Sequence, residues 1–216
     1  MARSKKAQEP AAIPDLYTID NLETLRLLAD PLRISVMQAF AADPSTPRTV
    51  KQIAAELGAG PTKLYYHVNL LEEHGLLRVA DSRVVSGIIE KSYLPAGKSI
   101  TIDAGLMQVS PGGREAAAAT MAALLQTAAS ELTASVTAAP PPPPEAAGTP
   151  RIHVTKSLSR IEPARHAEFM ARVSALVEEF ENVYGSPVSE PSHALVIAFY
   201  PLPGTAGRST AEGDAR

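Results

Sequence analysis

The chain contains no cysteine. Without thiols there can be no disulfide, no thiolate-held zinc or iron–sulfur cluster and no thiol nucleophile. Long hydrophobic runs are missing too: nothing approaches the ~18 apolar residues a membrane span needs, and the longest near the end is Ala194 to Tyr200. The opening Met1-Ala2-Arg3-Ser4-Lys5-Lys6 is basic, but no apolar core follows it. No secretory signal is therefore expected, and the expected address is the cytoplasm. A large charge of one sign is also absent. The formal net charge is −3, so no global field announces nucleic acid, and any nucleic-acid role must rest on a local surface. No serine-nucleophile motif, phosphate-cradling glycine loop or HExxH occurs, which leaves an enzyme reading without support and implies no cofactor.

What is present suffices for a core: 216 residues, 45% of them hydrophobic, enough for one ordinary domain or two small ones. Residues 1–15 read as a flexible tail whose cations Arg3, Lys5 and Lys6 either graze a phosphate backbone or are simply solvated. Residues 16–100 are dense in helix punctuation. Residues 101–137 hold an alanine-rich connecting or dimerisation helix, and 138–150 carry five consecutive prolines, the composition of a semi-rigid spacer. Residues 151–202 read as strand, helix, strand, and 203–216 as a second tail.

Helix caps organise the 16–100 segment. Asp20-Asn21-Leu22-Glu23 reads as a capping box, in which a short acceptor serves the first-turn amides and Glu23 reaches back. Asp30-Pro31 caps a second helix carrying Leu32, Val36 and Phe40 on one stripe, with proline at its first position. Thr49 and Gln52 form another capping box, and that short helix ends at Leu57. Gly60-Pro61 opens a fourth helix, about Pro61 to His74, and Gly75 ends it. Two short helices joined only by Gly58-Ala59-Gly60 fit a helix-turn-helix. Leu64, Val68 and Leu71 are expected to face inward. Thr62, Lys63, Tyr66 and Asn69 are expected to face out, with Tyr65 and His67 on the flanks, as candidates for base and phosphate contacts. Tyr65 and Tyr66 could equally be core or interface residues. The runs Leu76–Asp81 and Ile88–Tyr93, split by Ser86-Gly87, predict a β-hairpin. This makes a wing whose Arg83 and Lys91 are either phosphate contacts or solvated charges. Between Leu16 and Ile100, nine Lys/Arg balance nine Asp/Glu.

Leu28-Ala29-Asp30-Pro31-Leu32-Arg33 and Tyr66-His67-Val68-Asn69-Leu70-Leu71-Glu72-Glu73-His74-Gly75-Leu76-Leu77, with the wing segment Gly87-Ile88-Ile89-Glu90-Lys91-Ser92-Tyr93, carry a family likeness. From Leu25 to Leu94 the chain resembles the ArsR-like winged-helix transcriptional regulators. The resemblance implies homodimers whose second motif helix enters the major groove of double-stranded DNA at a palindromic operator. By position it places Thr62, Lys63, Tyr65, Tyr66 and His67 at the DNA, and it puts the first helix and the helix after the wing at the dimer seam. Metal-sensing members use cysteines, so thiolate sensing is excluded here. A winged helix that binds protein rather than DNA is the alternative.

Leu22, Leu25 and Leu28 of the first helix, with Met121, Leu125 and Leu132 of the alanine-rich helix, are the candidate seam residues; an intrachain core is the other reading of the alanine-rich helix. Glu162 and His166 sit four apart on one helix face, and His153 and His193 fall on the two expected strands. Joining them into the three ligands zinc requires needs a pairing the sequence does not supply, so no metal site is expected. The 151–202 module has an apolar helix stripe, Phe169, Val173, Leu176, Val177 and Phe180, too large for two strands to cover. It is expected to bind a small-molecule effector, to assemble, or to act as a buttress. The fold class expected is mainly α: a winged helix-turn-helix domain, a long α-helix, and a small α+β (strand-helix-strand) C-terminal module.

Overall fold

The computed structural model describes residues 12–85, 87–138, 152–182 and 193–202. The chain divides into two compact units, residues 1–142 and 143–216. The proline run and both expected tails, apart from residues 12–15, lie outside the described residues, as does Ser86 of the hairpin turn.

The described part of the first unit is mainly helical with a winged helix-turn-helix at its centre. Strand β1 (Leu16–Ile19) leads into α1 (Leu22–Leu27), α2 (Pro31–Ala41), the short β2 (Arg48–Thr49), α3 (Val50–Glu56) and α4 (Pro61–Glu73). The hairpin β3 (Leu77–Val85) and β4 (Ile88–Pro95) follows, then β5 (Ser99–Ile102), α5 (Ala104–Val109) and α6 (Gly113–Ala138). β2, β4 and β3 form an antiparallel sheet in that order, while β1 and β5 pair in parallel, Leu16 opposite Ser99 and Ile19 opposite Ile102.

The caps explain most of these boundaries. Asp30 accepts from the amides of Leu32 (2.8 Å) and Arg33 (3.3 Å), and Pro31 starts α2. Thr49 and Gln52 make both halves of a capping box on α3, satisfying donors that the first helical turn leaves open. For α1 the cap is Asn21, not Asp20: the Asn21 side chain accepts from the Thr24 amide at 2.8 Å. Asp20 stands one residue too early to reach that donor, so the box expected from Asp20 to Glu23 does not form.

Phe40, Val36, Leu25, Ile53, Leu64, Val68, Leu71 and Leu76 are completely buried and form one core. α6 closes it with small residues, Ala116, Ala117, Thr120 and Ala123, against α1 and α2. The Thr120 hydroxyl donates to the Leu25 carbonyl at 2.9 Å, a contact that only a closely approaching helix can make. This corrects the expected seam. Leu25 and Leu28 are interior residues of the chain, and Leu22 packs partly buried against the same core. Met121, Leu125 and Leu132 lie on the opposite side of α6 and are exposed.

In the second unit α7 (Pro163–Asn182) is the one helix among the described residues. Of the two expected strands, 152–157 and 192–202, the described residues 152–157 and 193–202 form no strand. Phe199 lies beside α7, its ring 5.0 Å from Phe169 and 5.4 Å from His166.

Candidate nucleic-acid interface

The site is built on α3, the turn after it and α4. Gly58 sits at φ +59°, a left-handed conformation that side chains disfavour, and it lets the chain reverse between the helices. The Ala59 amide then returns to the Ala54 carbonyl at 2.9 Å, locking the turn. Pro61 supplies the first position of α4, and Gly75, at φ +72°, stops it.

Leu64, Val68 and Leu71 anchor α4 to the core at full burial. Thr62, Lys63, Tyr65, Tyr66 and Asn69 are exposed along its outer side, and Tyr66 keeps 63% of its surface open. A phenol this exposed on a helix anchored by three buried residues is free to meet a partner. His67 departs from the expected set. It is 94% buried, turned from the outer face toward α2, with its Nδ1 4.0 Å from the Asp30 carboxylate and no hydrogen-bond partner. Its ring also packs edge-on to Tyr66, 5.4 Å between centroids. His67 is therefore an inward-facing residue that positions α4.

Burial is the main force holding the His67 imidazole below its ordinary pKa of about 6.5; Asp30 pulls the other way, and Arg33 and Lys63 add to the lowering. The stabilisation from keeping it neutral is present above pH ~6.5. It is lost as pH falls from there through the lowered folded pKa, because the unfolded chain takes up the proton first. Urea midpoints measured between pH 7.5 and 5.5 are expected to fall, and His67→Phe is expected to flatten that fall. An equal slope in both proteins would contradict the assignment.

The wing charges are also placed differently from expectation. Arg83 donates to Glu90 Oε2 from Nε (3.1 Å) and Nη2 (2.8 Å), and Lys51 of α3 reaches Glu90 Oε1 at 3.2 Å. These two cations, Arg83 first, hold the Glu90 carboxyl below its usual range. Lys91 ties the wing to α4 through Glu72, at 2.7 and 3.0 Å. Neither Arg83 nor Lys91 is a loose cation. The sequence reading missed Glu72, Glu90 and Lys51. One signal was available: a two-residue turn at 86–87 pairs 85 with 88, and hence Arg83 with Glu90, which is the observed register. Beyond the charges, the wing tip is apolar, with Val84 72% and Ile89 69% exposed.

A family model described as a helix-turn-helix domain matches residues 28–80. The matched stretch runs from the end of α1 into β3 and so takes in both helices of the motif and the turn between them. This chain carries a helix-turn-helix domain. No curated protein matches the chain. Among the described residues no helix is long and apolar enough to cross a membrane, and no three acidic or histidine side chains gather as a metal site would require.

Proposed function

We propose that the chain is a sequence-specific DNA-binding transcriptional regulator of the ArsR-like type, acting as a homodimer on a palindromic operator. The observation that carries this is the outer face of α4. Thr62, Lys63, Tyr65, Tyr66 and Asn69 stand exposed on the second helix of a helix-turn-helix, the element that enters the major groove in such motifs. Hydroxyl, ammonium and amide groups on that face suit base edges and phosphates. Residues 101–216 hold eight Lys/Arg against twelve Asp/Glu, so DNA attraction is assigned to the winged helix and not to the C-terminal part.

The wing contributes through cations that Glu90 holds. A phosphate approaching Arg83 or Lys51 has to compete with that carboxylate. Glu90→Gln is expected to strengthen duplex binding severalfold and to steepen the dependence of log affinity on log salt by about one to two units, one for each cation freed. Unchanged affinity and slope in a salt titration would place the wing off the DNA.

The dimer seam is assigned to the outer stripe of α6. Met121, Leu125, Leu132 and Val136 are all exposed, and one winged helix offers little contact area, so two half-sites add the missing energy. Leu125→Arg is expected to shift the chain to monomer in light scattering at micromolar concentration and to weaken operator binding. A wild-type monomer under the same conditions would sink the dimer.

The second reading is a protein-binding winged helix. The apolar wing tip, Val84 and Ile89, favours it, since a solvent-facing apolar pair suits a protein surface as well as a groove. Absence of duplex affinity at low salt would select it.

A further inference from the structure

Among the described residues of the second unit none is buried, although Phe169, Leu176 and Phe180 on α7 and Leu195, Ile197 and Phe199 farther along the chain are large and apolar. Phe169 touches Phe199, yet Phe169, Leu176 and Phe180 each keep 37–50% of their surface open. The charge pattern of α7 says to what.

Phe169, Val173, Leu176 and Phe180 follow one another at spacings of four, three and four, the 3.5-residue repeat of a helix seam. Arg172 and Glu179 each stand one residue before a seam position, seven residues apart on the same flank, and both are exposed. The first half of the helix holds Arg165, Glu168 and Arg172, a net +1, and the second half Glu178, Glu179 and Glu181, a net −3. That order opposes the dipole of an isolated helix, which favours anions first and cations last.

An antiparallel second copy of α7 corrects all of this together. With the two-fold axis between residues 174 and 175, Phe169 meets Phe180 of the partner subunit, and Val173 meets Leu176 of the partner subunit. Arg172 then meets Glu179 of the partner subunit, twice by symmetry, and each helix start lies against the other's acidic end. A parallel pair would set Arg172 against Val177 of the partner subunit and leave both charges unmatched. We infer that the second unit is a self-association module in which α7 pairs antiparallel with α7 of another copy of this chain, selected by reciprocal Arg172–Glu179 contacts. This inference does not depend on DNA binding or on the α6 seam.

The chain has no cysteine of its own, so introduced thiols report the geometry directly. Full-length Arg172→Cys and Glu179→Cys proteins, mixed and mildly oxidised, are expected to give a disulfide-linked heterodimer well above the homodimers that either forms alone. In sedimentation, Arg172→Glu is expected to weaken self-association about tenfold by setting like charges opposite each other. Arg172→Glu combined with Glu179→Arg should restore it. No preference for the mixed crosslink, or no recovery in the swapped variant, would overturn the pairing.

Discussion

Leu25→Ala is expected to destabilise the first unit by about 2–5 kcal/mol, the range for emptying a fully enclosed leucine site. Leu25 has no exposed surface, and its carbonyl is held by Thr120 of α6. The cavity would open where α1 meets α6, and alanine-rich packing there leaves few large side chains able to collapse into it. A seam role for Leu25 makes a different prediction. Loss of a dimer contact would shift the monomer–dimer balance, and the destabilisation would grow on dilution. Urea unfolding at two protein concentrations separates these: the same large loss at both, with the wild-type oligomeric state retained, is the result expected of a core residue.

Tyr66→Ala is expected to weaken binding to a cognate duplex by ~1–3 kcal/mol, the scale of one lost base-level contact. Truncation should do little to the fold, because Tyr66 is largely solvated and Leu64, Val68 and Leu71 keep α4 anchored. Lys63→Ala on the same face should behave differently: weaker binding across all sequences and a salt slope lower by about one unit. Competition band shifts with cognate and scrambled duplexes distinguish the two. Equal behaviour of both variants and the wild type, with helix content intact, would remove α4 from the interface.

The parts of this fold legible in the sequence are those fixed by neighbours in the chain. Asp30-Pro31, Thr49 with Gln52, and Gly60-Pro61 each set a helix start through contacts within three residues, and the helices begin there. The β1–β5 pair was not legible. It joins segments more than eighty residues apart, and nothing in Leu16–Ile19 alone names Ser99–Ile102 as its partner. His67 shows the limit of a helical face drawn from spacing. It lies at the border of the outer face, and the nearness of α2, a tertiary fact, turned it inward. Leu25 and Leu28 read as an apolar helix edge in either case; only the placement of α6 decides that the edge is interior. The wing cations were visible, but their neutralisation by Glu90 and Glu72 required the hairpin register and the approach of α4.

The proposed reading of DNA by α4 and the wing is tested most directly by salt-dependent selection. The full-length chain would be used to select duplexes from a random pool, and affinity for the enriched sequence measured from 50 to 300 mM salt. An enriched inverted repeat with half-sites about one helical turn apart is expected. A log–log salt slope of several units, reduced by Lys63→Ala, is expected with it. No enrichment, and no duplex affinity even at 50 mM salt, would contradict that reading.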